Sequence, residues 1–358
     1  MKRTQRDIFL DTVNHHSHSD FLYYFDTTPD LYDRLAAEIG LGEDEQLSDR
    51  FGLFAPAHLT PRDSYNADPL LLPDFMRYYS DVDVPANAYL DGNGVLHIPG
   101  SMYHFTHYIA PLRGERTLKE IERFPIRAMS EGSEEGMAEA AWEARSRGQI
   151  TQCWIGHIYE NAWQVRGYED FLADLSLAPE NCEYILGQFA QRNCQFAMAA
   201  ARAGVDMLRT GDDVAGQNGM IFGADRWRRV LKPLWQHIYA QAKRIKPDMK
   251  IWYHSDGDIS EIIGDLIEIG VDILNPLQPE CMDVAALKKQ YGSALVFDGA
   301  IGTQSVMPFG SPADVKETVR RAKRELGQDG ALILSPTHVL EPEVPIANIL
   351  AFVDACRE

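Results

Sequence analysis

A repeated alternation of short apolar runs with helical stretches most constrains what this chain can fold into. It is clearest from Lys250 to Gln278, KIWYHSDGDISEIIGDLIEIGVDILNPLQ. Ile251-Trp252-Tyr253 reads as a strand that stops at the polar cluster His254-Ser255-Asp256-Gly257-Asp258. A helix is expected next, with Asp258 as N-cap and Glu261 at capping-box spacing. Its apolar positions Ile259, Ile262, Ile263, Leu266 and Ile267 share one face. Gly270 closes it, and a second strand runs from Val271 to Leu274. This is one βαβ unit, with ionisable groups where the first strand becomes loop. In parallel α/β folds that end of a strand is where chemistry sits.

The rhythm extends along the chain. Further strands are expected at Phe21 to Phe25, Phe51 to Ala57, Ile150 to Ile158, Val205 to Thr210, Ala294 to Phe297 and Ala331 to Leu334. Helices are expected at residues 5–15, Leu31 to Ile39, Glu134 to Arg147, Pro179 to Ala203, Asp225 to Lys246 (bent at Pro233), Pro312 to Leu326 and Ile346 to Cys356. Ser311 caps the Pro312 helix and Gly327 ends it. Eight strands, most of them separated by helices, predict a single (β/α)₈ TIM barrel over residues 1–358. A doubly wound open sheet is the alternative, but no GxGxxG follows the first strand.

Residues 58–114 break the pattern. Proline and aromatic residues are frequent there, and Ala88 to Ile98 reads as a β-hairpin around Asp91-Gly92 or Asn93-Gly94. This stretch is expected to be an inserted lid within the barrel, since it is too long for a plain loop.

Composition narrows the function. The net charge is −19, with no block of lysine or arginine, which argues against nucleic acid and anionic membrane as partners. No apolar run reaches a membrane span, and the N-terminus lacks the apolar core of a signal peptide. Five scattered cysteines fit reduced thiols in the cytoplasm.

In a barrel, the residues just past each strand converge on one mouth. They are Asp26; His157, Tyr159 and Glu160; Asp212 and Asp213; His254 and Asp256; Asn275 and Gln278; Asp298 and Gln304; and His338. Histidines among carboxylates suit a metal site or acid–base work, although single aspartates also cap helices. His254 and Asp256 stand at i and i+2, so an extended backbone points both to one side.

Several segments together resemble the uroporphyrinogen decarboxylase superfamily, in particular its corrinoid-linked methyltransferase branch. They are GHIYENAWQVRGYEDFL (156–172), GDDVAGQNG (211–219), YHSDGDISEIIGDLIEIGVDILNPLQ (253–278), FDGAIGTQ (297–304) and LSPTHVLEPEVPIANI (334–349). The resemblance implies a barrel and a zinc-dependent methyl transfer. The methyl-bearing heteroatom of a methylated small molecule meets the metal, and cob(I)alamin on a separate corrinoid protein becomes methylcobalamin. It further implies His254 and Asp256 as zinc ligands, with the third drawn from Glu160, Asp213 and His338. With Glu160 in that role, Asp212, Asp213 and His338 serve catalysis, and His157, Tyr159, Asn275, Gln278, Asp298 and Gln304 contact substrate. A homodimer is compatible with this reading.

Two departures from the family pattern refine the expectation. Its decarboxylases carry an arginine-rich N-terminal motif, whereas this chain has FLYYFDTTPDLYDRL. Its thiol methyltransferases carry His-x-Cys where this chain has His254-Ser255-Asp256. A His/Asp set is harder than a thiolate set and leaves zinc more Lewis-acidic, which suits a methyl ether. The competing readings are a family decarboxylase and a non-catalytic corrinoid- or ligand-binding barrel.

Overall fold

The computed structural model describes residues 3–62, 72–100 and 106–358. Thirteen strands are present among them. β1 is Leu22–Tyr23, β2 Ala57–His58, β3 Tyr89–Leu90, β4 Leu96–Pro99, β5 Thr106–Ile109, β6 Thr151–Trp154 and β7 Met207–Gly211. β8 is Ala215–Gly216, β9 Gly219–Met220, β10 Lys250–His254, β11 Ile273–Leu277, β12 Val296–Ile301 and β13 Leu332–Pro336. Eight of them form the barrel in the order β1-β13-β12-β11-β10-β7-β6-β2, each neighbouring pair parallel. The two-residue strands β1 and β2 meet at a seam, which the Phe54 N–H crosses to the Tyr23 carbonyl at 2.7 Å.

Alternation along the strands sorts two cores. Residues facing out, such as Leu208, Tyr253, Leu274 and Phe297, pack under the helices. Residues facing in, including Met207, Trp252, Ile273, Val296 and Ile333, meet Phe9 and Val13 of the helix Gln5–Val13. That helix therefore plugs the N-terminal end of the barrel. Arg6 fastens it by a two-pronged pair to Asp206, at 2.6 and 2.9 Å. Among the described residues, the plug leaves the opposite end open for a site built on strand ends.

Several local expectations are corrected. The stretch Phe51 to Ala57 is not one strand. A helical turn, Leu47–Phe51, ends at Gly52 in the left-handed region, and only Ala57–His58 pairs. The helix over Asp225 to Lys246 is two helices, Ala224–Val230 and Lys232–Ile245, and Pro233 lies in the first turn of the second, where its missing N–H costs nothing. Asp258 does not form a capping box. Its side chain accepts from Ser260 N at 3.0 Å, and a short 3₁₀ turn precedes the helix Ile263–Glu268. Helices at Tyr159–Arg166, Tyr168–Leu177 and Val284–Tyr291 were not anticipated.

Within residues 58–114, β3, β4 and β5 form a separate antiparallel sheet. Its first turn closes through Gly94 N–H to the Asp91 carbonyl, with Gly94 at φ +75°. Asn93 on that turn is held from the barrel side by Arg192 at 2.7 Å and bonds Asn161 at 3.2 Å. Tyr65, Tyr103, Phe105 and His104 of this segment lie outside the described residues.

Candidate metal centre at the barrel mouth

β7 and β10 run side by side, with Gly211 in register with His254. The strands touch so closely there that a Cβ on Gly211 would lie 2.3 Å from the His254 carbonyl oxygen. This approach brings the turn after β7 against the turn after β10. The Asp256 N–H donates to Asp213 Oδ1 at 2.8 Å. Asp213, His254 and Asp256 thereby present one ligand atom each, all within 4.8 Å of one another. His254 Nε2 lies 3.6 Å from Asp213 Oδ1 and 3.9 Å from Asp256 Oδ1.

The donor set fits a divalent metal on three counts. Imidazole nitrogen with two carboxylates is an accepted zinc ligand set. The other imidazole nitrogen, Nδ1, donates to Asn275 Oδ1 at 2.7 Å, the outer contact that orients a ligating histidine. Asp256 Oδ1 is buried and lacks any hydrogen-bond partner, so its lone pairs are unspent. Burial raises the Asp256 carboxyl above its ordinary range, opposed by the charge of His254.

A second cluster stands beside it. His157 Nδ1 shares its proton between Glu160 Oε1 and the Gly211 carbonyl, both at 2.7 Å. Burial pulls the imidazolium down, but Glu160 outweighs it and the pKa rises to about 9. Glu160 also accepts the Asp213 N–H at 3.2 Å. The Glu160 carboxylate thus supports both clusters, and the residue placed with His254 and Asp256 is Asp213.

Asp212 is fully buried. Its Oδ1 accepts from the N–H groups of Ile158, Tyr159 and Glu160 at 2.9, 2.8 and 3.3 Å, and its Oδ2 from the Trp235 indole at 3.1 Å. Burial pushes its carboxyl up to about 7, against the pull of His157 and those donors. Asp212 is therefore the cap of the helix Tyr159–Arg166, delivered from another strand. Both of its oxygens accept hydrogen bonds, and Oδ1 also lies 3.9 Å from His157 Nδ1, so that His157, Glu160 and Asp212 form the second cluster.

The remaining predicted residues separate by depth. Tyr159 is buried, with its ring against Phe171 and Phe222. Gln278 Oε1 accepts the Gly257 N–H at 3.1 Å, and Gln304 accepts from Gln217 at 2.7 Å. Both line a cavity of about 400 Å³ with Asp256 and His338. His338 Nε2 is 3.8 Å from Asp256 Oδ2. Asp298 is deep in the barrel, where Trp252 Nε1, Tyr24 OH and Ser335 Oγ donate to it at 2.8, 3.1 and 2.9 Å. Asn275 Nδ2 donates to Tyr24 OH at 3.3 Å, which links His254 to that network.

Two more cavities lie inside the barrel, one of them against the metal set. One of about 310 Å³ is lined by His58, Trp154, His157, Glu160, Arg209, Asp213, Trp252 and His254. The other, about 370 Å³, opens at the β1/β2 seam among Tyr24, Phe25, Asp26 and Phe54, and shares Arg209 and Trp252 with the first. Sequence reasoning missed Tyr24, Arg209 and Trp252. The available signal was a charge or a large aromatic at inward positions of strands, as in Met207-Leu208-Arg209.

Residues 158–358 match the family model described as uroporphyrinogen decarboxylase (URO-D). A solved methyltransferase from Methanosarcina mazei aligns over 99% of this chain and 99% of its own, at 16% identity and a TM-score of 0.67, which shows a shared fold. A B12-independent methionine synthase from Shewanella sp. W3-18-1 covers 62% of this chain and 66% of its own at 14% identity. Its TM-score is 0.40. No curated protein sequence matches the chain.

Proposed function

We infer the function from one premise: this chain belongs to the uroporphyrinogen decarboxylase family. On that premise we propose a zinc-dependent methyltransferase. It moves a methyl group from a methylated small molecule, an O-methyl ether in particular, to the cob(I)alamin of a separate corrinoid protein. The observation that carries the reading is the convergence of Asp213, His254 and Asp256 at the mouth, with Asp256 Oδ1 buried and unpartnered.

Asp213, His254 and Asp256 would hold the metal. Zinc bound there supplies Lewis acidity toward the ether oxygen, whose anion is otherwise a poor leaving group. Asn275 keeps His254 Nδ1 protonated, so that Nε2 offers its lone pair to the mouth. Glu160 fixes Asp213 through its N–H and holds a proton on His157 beside the cavity. To His338, half exposed and 3.8 Å from Asp256, we assign the donation of a proton to a departing oxygen. No side chain here is nucleophilic enough to attack an ether methyl, so the acceptor comes from outside the chain.

Five free thiols fit a reducing, cytoplasmic setting, and no helix among the described residues is long and apolar enough to cross a membrane. Metal analysis tests the reading. The purified protein should carry about one zinc per chain, and His254→Ala should lose it. Wild-type protein that takes up no divalent metal even after zinc addition contradicts it.

A further inference from the structure

Arg209 projects into the barrel from β7, in register with Trp252 of β10 and one inward position below the Gly211–His254 pair. Its guanidinium carbon lies 4.0 Å from the centroid of the Trp252 ring. Its Nε is buried and has no hydrogen-bond partner. Among the described residues it forms no ion pair. The Asp298 carboxylate shares the seam cavity with it, but that group is taken up by Trp252, Tyr24 and Ser335.

A guanidinium does not escape burial by losing its proton, and this half-buried one leaves its Nε without an acceptor. Its rigid fork of donors matches a carboxylate. Arg209 lines both the seam cavity and the cavity that contains His254 and Asp213. The walls around it are aromatic, formed by Tyr24, Phe25, Phe54 and Trp252. His254 stands two strand residues beyond the level of Arg209, about 7 Å at roughly 3.3 Å per residue.

We propose that Arg209 is the carboxylate anchor of the small molecule on which this site acts, a methoxylated aromatic carboxylate. The ring lies among the aromatic walls, and the ether oxygen points toward Asp213, His254 and Asp256. This assignment deepens the methyltransferase reading and rests on it for the identity of the methyl group.

The test is equilibrium binding, with no corrinoid and no turnover. Calorimetric titrations would compare 3-methoxybenzoate and 4-methoxybenzoate with the matching neutral benzamides, on wild type, Arg209→Met and Arg209→Lys. Wild type should bind at least one acid about tenfold or more tightly than its amide, the value of one charged hydrogen-bonded contact. Arg209→Met should erase that preference and Arg209→Lys should retain part of it. Equal binding of acid and amide by wild type, binding of neither, or a preference that survives in Arg209→Met overturns the proposal. The wild-type comparison decides alone if the Met variant does not fold. Acid binding through Arg209 with no methyl transfer to cob(I)alamin would uphold the anchor and remove the methyltransferase reading. Transfer from neutral ethers alone would do the reverse.

Discussion

His254 donates from Nδ1 to Asn275 Oδ1 across 2.7 Å, and this one contact decides which imidazole nitrogen faces Asp213 and Asp256. Asn275 is itself tied to Tyr24, so the ligand is oriented from inside the barrel. Asn275→Ala should leave the fold intact and weaken zinc affinity by about 10–100-fold, the usual effect of removing such an outer contact. A competition titration with a chromophoric chelator measures this. Unchanged affinity would mean that His254 is held in place by packing alone.

Asp256 tests the character of the ligand set. Asp256→Ala should lose the metal and abolish methyl transfer. Asp256→Cys restores a soft donor, so it should bind zinc while favouring thiol over ether methyl donors. The readouts are zinc stoichiometry and relative rates with paired S-methyl and O-methyl substrates. Full activity in Asp256→Ala would exclude it from the metal site.

The Arg6–Asp206 pair gives a pH signature far from the mouth. Burial raises the Asp206 carboxyl, but Arg6 and the N–H and hydroxyl of Thr151 outweigh it, so its pKa lies below the ordinary value. A depressed carboxylate stabilises the fold above the unfolded value of about 4, and that stability is lost as pH falls through the folded value. Arg6→Met should therefore cost about 3 kcal/mol near neutrality, since it leaves a buried carboxylate unpaired. It should also flatten the acid limb of the stability curve. Denaturant unfolding between pH 3 and 7 checks both, and parallel curves for variant and wild type would contradict the account.

The antiparallel sheet in residues 58–114 borders the helix that follows His157, through Asn93 to Asn161 and Tyr108 to Trp163. Treated as a lid, it sets substrate range. Replacing residues 88–98 with a short flexible link should alter the order of preferred substrates more than the melting temperature. A variant that unfolds outright would make the segment a structural cap.

The barrel was legible because inward and outward strand residues alternate under amphipathic helices such as Pro312–Leu326, whose Ser311 cap and Asp314 partner lie within four residues of each other. His254 and Asp256 stood out in the sequence by their i, i+2 spacing, although the strand ends at His254 and Asp256 lies in the turn beyond it. What escaped notice depends on contacts between distant residues. The helix Tyr159–Arg166 has no cap of its own and borrows the Asp212 carboxylate, 53 residues away from Tyr159. The same contacts bury Asp212, one of the aspartates expected at the mouth. That Asp213, and not Glu160, clusters with His254 and Asp256 follows from the close approach at Gly211, which no local pattern encodes. Arg209 lies within an apolar strand, where its stacking on Trp252 and the unbonded Nε are visible only once the barrel closes around it.

The most direct test of the central claim follows the cobalt. Zinc-loaded protein would be mixed anaerobically with cob(I)alamin and methoxybenzoates, and the conversion of the cob(I)alamin spectrum to that of methylcob(III)alamin recorded. The account predicts conversion that requires both protein and methoxylated donor and that disappears in Asp256→Ala. No conversion with any methyl donor, together with carbon dioxide release from a porphyrinogen by the same preparation, would contradict it.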